Sequence, residues 1–150
     1  MRLPTDLSTP RLAKIRDASS AASFPPTMPL GRFLFEYLYR RGARHSFGLP
    51  GDFALPTFSW LEKSKIQSVT VTHEPAAGFA ADAYARINGI GLVCVTYCVG
   101  GLNVVNAIAG AYAEKSPVVV VSGAPGRTDR EKDPLLPSQG KNLRDAAANL

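Results

Sequence analysis

Four consecutive valines, Val118 to Val121, stand between Pro117 and Ser122. A run apolar at every position, rather than at every second one, predicts a strand buried on both faces. Such strands belong to parallel sheets covered by helices on both sides. Leu92 to Tyr97 is a second near-continuous apolar run. Parallel strands need long crossover connections, normally helical, and the intervening segments have that character. Pro29 to Arg41 places Leu30, Phe33, Leu34, Tyr37 and Leu38 on one stripe and stops at Gly42, a helix by its spacing and ends. His45 to Phe47 reads as a short strand and Phe53 to Lys63 as a helix that tolerates Pro56 in its first turn. Ile66 to Thr72 alternates as a strand, and Glu74 to Ile87 is an Ala-rich helix opened by Pro75. Gly100-Gly101 turns the chain into a helix over Leu102 to Glu114, which leads to the strand at Pro117 to Ser122. The predicted fold is α/β: a three-layer open parallel sheet with helices on both faces.

The ends of the chain look different. Residues 1 to 27 hold Pro4, Pro10, Pro25 and Pro26 and a Ser/Ala cluster, with no sustained apolar period. They read as a flexible N-terminal extension, with the folded domain spanning 28–150. The extension lacks the apolar core of a secretory signal, and Asp6 and Asp17 count against a transit peptide. Asp129 to Asp133 reads as a charged, flexible stretch, and Asn142 to Leu150 as a helix that the chain end cuts off.

Charge and cysteines narrow the function classes. The net charge of +5 comes from 17 basic and 12 acidic residues without a dense basic tract. Nucleic-acid binding, which needs that charge gathered on one face, is therefore not expected. No apolar run approaches the roughly 18–20 residues that span a bilayer, so no membrane partner is expected either. Cys94 and Cys98 lack the spacing of a zinc or redox pair. They read as two reduced thiols, as in a cytoplasmic protein.

Ligands of open parallel sheets bind outside the carboxyl ends of the strands. Four loops fall there: Gly48 to Asp52, His73-Glu74, Cys98 to Gly101 and Gly123 to Gly126. Glu74 stands where a strand ends and a helix begins, and Asp52 precedes another helix. Each is a candidate functional carboxylate, and each has a plain alternative as a helix N-cap. His45 and His73 show no partner spacing for metal or triad chemistry. No phosphate-binding glycine motif or nucleophile elbow is present.

Three blocks go further. Phe47-Gly-Leu-Pro-Gly-Asp-Phe-Ala-Leu-Pro56, Thr72-His-Glu-Pro-Ala-Ala-Gly-Phe-Ala-Ala-Asp-Ala-Tyr-Ala-Arg86 and Gly110-Ala-Tyr-Ala-Glu-Lys-Ser-Pro-Val-Val-Val-Val-Ser-Gly-Ala-Pro-Gly126 closely resemble the N-terminal pyrimidine-binding domain of thiamine-diphosphate-dependent 2-oxo acid decarboxylases. Among these the likeness is to phenylpyruvate and indolepyruvate decarboxylases, and it runs from about Met28 to Leu150.

The resemblance implies roles. Glu74 matches the glutamate that hydrogen-bonds N1′ of the cofactor aminopyrimidine and so activates thiamine diphosphate. Asp52 matches an active-site aspartate that assists proton handling. Pro50, Gly51 and Val99 match positions lining the aminopyrimidine pocket. Mg2+ and the diphosphate are implied to sit on a C-terminal domain that this chain does not contain. The implied cofactor lies between subunits, so a homo-oligomer, or pairing with a subunit carrying the diphosphate site, is expected. The substrate would be a 2-oxo acid, aromatic by preference.

Two positions depart from the family pattern. Leu135-Leu136-Pro137-Ser138-Gln139-Gly140 stands where a Leu-Leu-His-His-Gln-Gly context is usual, which removes two titratable imidazoles. Cys98-Val99-Gly100 stands for a Gly-x-Gly turn, so a positive φ at its first residue would strain Cys98. The domain is expected to be truncated at its C-terminus and, alone, inactive. A non-catalytic remnant or subunit-pairing fragment is the alternative reading, and a flavodoxin-like binding module a third.

Overall fold

The computed structural model describes residues 24–126. The elements follow in the order α1 (Leu30–Arg40), β1 (His45–Gly48), a 3-10 turn (Asp52–Ala54), α2 (Leu55–Glu62), β2 (Gln67–Thr70), α3 (Glu74–Asn88), β3 (Gly91–Val95), α4 (Val99–Asn103), α5 (Val105–Ala113) and β4 (Val118–Ser122). The four strands form one parallel sheet in the order β2-β1-β3-β4.

Alternation along β3 separates the two faces. Leu92 and Cys94 point into a core with Phe35 and Leu38 of α1 and Phe58 and Leu61 of α2. Val93 and Val95 point the other way, against Ala77 and Ala81 of α3 and Val104 ahead of α5. The sheet is thus the middle of three layers, and all five residues of β3 are buried. Small residues let α3 sit close: a Cβ on Gly91 would overlap the Ala81 carbonyl. Gly42 (φ +109°) and Gly89 (φ +95°) follow α1 and α3 in left-handed geometry, the usual glycine stop.

The valine run does not behave as its composition suggests. Val120 is 39% exposed and the other residues of β4 are only half-buried. Among the described residues β4 is the outermost strand. It is covered less than β3, which has a strand on each side, so double-faced burial is corrected to partial burial.

Two helices also differ from expectation. The chain after β1 makes a 3-10 turn before α2, and the helix predicted over Leu102 to Glu114 starts at Val99 and breaks at Val104. Phe24, assigned by sequence to the extension, packs its ring 4.9 Å from Phe33 on α1 and under the Arg40 guanidinium. The rest of the extension, the Asp129 to Asp133 stretch, the Pro137-Ser138 substitution and the Asn142 to Leu150 helix lie outside the described residues.

Candidate functional site

The chain moves outward from β1 to β2, returns across β1 to β3, and continues to β4. The direction reverses between β1 and β3, and their carboxyl ends flank the crevice where open α/β sheets take ligands. The loop after β1 carries Pro50, Gly51 and Asp52; the loop after β3 carries Cys98, Val99 and Gly100. These loops pack directly, since a Cβ on Gly51 would stand 2.7 Å from Thr96 Cβ.

Glu74 reaches the same crevice from a third direction. It is the first residue of α3, followed by Pro75, and α3 crosses from β2 over β1 and β3. His73, not Glu74, is the N-cap, and no side chain caps this helix end. The N-cap alternative for Glu74 is therefore not realised. The residue is buried, 8% exposed. Asn103 Nδ2, at the end of α4, donates to Glu74 Oε2 at 3.0 Å. Oε1 lies beside Gly100, whose missing side chain would have stood 3.6 Å from it.

Asp52 is the exposed first residue of the 3-10 turn; Gly51 is its N-cap, and no side-chain cap forms. Its N-cap alternative is also not realised, and no hydrogen bond joins Asp52 to Glu74 among the described residues. Pro50 is exposed, Gly51 half-buried and Val99 67% exposed. Val99, the first residue of α4, thus offers an uncovered apolar surface next to Gly100, which lies beside the Glu74 carboxylate.

Cys98 has φ +55° and ψ −88°, the strained left-handed side of backbone space for a residue with a Cβ. This is the strain the Cys-for-Gly departure implied. The geometry has a use: the Cys98 carbonyl accepts from Leu102 N–H at 2.7 Å, which starts α4 at once and brings Asn103 over Glu74.

His45 is an ordinary structural histidine, its Nδ1 2.9 Å from Tyr84 Oη. Burial pushes the Cys94 thiol up to about 12, so it is a core side chain and not a nucleophile. No three potential metal ligands converge among the described residues. A groove of about 660 Å³ between α1 and α2, lined by Trp60, Lys63 and Lys65, lies away from the crevice. Sequence reasoning missed Asn103 and Thr96. The available signal for Asn103 was its place as one of two amides, Asn103 and Asn106, in an otherwise apolar helical segment.

Residues 28–144 match the family described as thiamine pyrophosphate enzyme, N-terminal TPP binding domain. The chain belongs to this family. It is 54% identical over 118 residues to an indole-3-pyruvate decarboxylase of Azospirillum brasilense, covering 77% of this chain and 22% of that protein. It is 44% identical over 110 residues to a pyruvate decarboxylase of Aspergillus parasiticus, covering 73% and 19%. Pyruvate decarboxylase 1 of Zea mays is 44% identical over 120 residues, covering 79% and 20%. The chain therefore spans about a fifth of the length of these relatives. The parallel three-layer sheet is the expected fold for this thiamine diphosphate domain. No helix among the described residues is long and apolar enough to cross a membrane.

Proposed function

We propose that this chain supplies the aminopyrimidine half of a thiamine diphosphate site in a 2-oxo acid decarboxylase. The observation that carries the reading is the Glu74 carboxylate at the switch point, nearly buried, tethered at one oxygen and turned to Gly100 with the other. A carboxylate held this way suits a planar heterocycle with a ring nitrogen to bond and an apolar face to lay on Val99. The residues fit that part of the cofactor.

Bound thiamine diphosphate supplies a carbon nucleophile and an electron sink for loss of carbon dioxide. This chain's residues bind and orient the ring and move the proton. Glu74, as carboxylate, accepts a hydrogen bond from the pyrimidine nitrogen in its protonated form. Pro50, Gly51 and Val99 line the ring. Asp52, on the facing loop, exchanges a proton with bound substrate. Preference for an aromatic 2-oxo acid is supported by the 54% identity to an indole-3-pyruvate decarboxylase.

In this reading Mg2+ and the diphosphate are held outside the described residues, on another domain or on a second subunit. The working unit is then an oligomer, and its site is shared between chains. Cys94 and Cys98, in no disulfide among the described residues, support a reducing, cytoplasmic setting.

The test uses 15N-labelled chain and a soluble aminopyrimidine, 4-amino-2,5-dimethylpyrimidine. Amide shifts at Gly51, Glu74, Val99 and Gly100 that saturate with ligand are the expected result. Saturable shifts confined to other surfaces would overturn the assignment, as would the absence of any shift at millimolar ligand.

A further inference from the structure

Glu74 has two carboxylate oxygens, and the structure treats them differently. Oε2 accepts a hydrogen bond from Asn103 Nδ2 at 3.0 Å. Oε1 lies beside Gly100 and accepts none among the described residues. The orientation of the Asn103 amide is fixed by chemistry: an ionised carboxylate only accepts, so the nitrogen must face it. The second N–H of the same amide points to His73 Nε2 at 3.4 Å. One exposed side chain on α4 thus spans the N-cap, His73, and the first residue, Glu74, of α3.

We propose that Asn103 is a positioning residue for Glu74. By holding Oε2 it fixes the carboxylate plane and leaves Oε1 as the oxygen presented to a ring nitrogen. This rests on the reading of Glu74 as the ligand-binding carboxylate. Two features favour positioning over plain stability. Asn103 is exposed, so its truncation leaves no core cavity. Its placement also depends on the strained turn at Cys98 and on the helix break at Val104, a costly backbone path for a bond that adds only about 1 kcal/mol to stability.

The 150-residue chain is compared with Asn103→Ala and Asn103→Asp. Asp has the same shape but cannot donate in its ionised form, and it adds a like charge. The first readout needs no cofactor: the rotamer populations of 13C-labelled Glu74, from side-chain couplings. Wild type is expected to hold one rotamer and both variants to average over several, with melting temperatures within about 3 °C of wild type, the scale of a lost surface bond. The second readout is affinity for 4-amino-2,5-dimethylpyrimidine, expected to fall roughly three- to tenfold in Asn103→Ala, the range of one lost hydrogen bond. Glu74 keeping one rotamer in both variants would overturn the proposal. So would unchanged affinity in Asn103→Ala while Glu74→Gln is weakened. If Glu74→Gln binds the pyrimidine as well as wild type, the functional reading fails instead, whatever the rotamers show.

Discussion

Gly51 and Thr96 meet at the switch point so closely that a Cβ on Gly51 would lie 2.7 Å from Thr96 Cβ and 2.9 Å from its Oγ1. The loops after β1 and β3 are thereby locked to each other, and Asp52 and Val99 are carried on the locked pair. Gly51→Ala must push the loops apart. The expected cost is about 1–3 kcal/mol by denaturant unfolding, the range for inserting a methyl into a packed site. A variant as stable as wild type would show that the loops move independently.

Cys98 gives a prediction of opposite sign. Its φ of +55° costs a residue with a Cβ roughly 1–2 kcal/mol, and glycine is free of that cost. Cys98→Gly should raise the melting temperature or leave it unchanged. A clear fall would mean that the thiol's packing outweighs the backbone strain.

The two thiols should differ in reactivity. Burial pushes Cys94 up to about 12, whereas Cys98 is partly accessible. Thiolate is the reactive form. At pH 8 a disulfide reagent should label Cys98 in the folded chain and Cys94 only after unfolding. Equal rates in the folded chain would contradict the buried β3.

On α3, the Arg86 guanidinium makes two 3.0 Å bonds to Asp82. This pairing, with Ser116 beside it, holds the Asp82 carboxyl below its ordinary value. A depressed carboxylate contributes stability above its unfolded-state value and loses it as pH falls through the folded one. Asp82→Asn should therefore cost under about 1 kcal/mol at pH 7, as exposed pairs do. The gap to wild type should shrink as pH falls below the ordinary aspartate value of about 3.9 and close only once the depressed folded-state carboxyl is itself protonated. A gap that persists there would assign the effect to packing.

The layer order and the strand-end loops were legible because continuous apolar runs, helix-spaced stripes and Gly or Pro at the helix ends are local signals. Glu74 and Pro75 mark the start of α3 from sequence alone. What stayed hidden depends on neighbours. Val120 is as apolar as Val93, yet its exposure follows from its place at the outer strand, which no window along the chain reports. Gly100-Gly101 reads as a turn, but it becomes helical because small residues let α4 close against Thr96 and Val95. The Asn103–Glu74 bond joins residues 29 positions apart, so only the folded chain could reveal it.

The most direct test of the account is the affinity of the folded chain for 4-amino-2,5-dimethylpyrimidine, measured by calorimetry for wild type and Glu74→Gln. A bond to a charged group is worth about 1.5–3 kcal/mol, so the variant should bind roughly ten- to a hundredfold more weakly. Equal affinity in the two proteins would contradict the claim that Glu74 holds the pyrimidine.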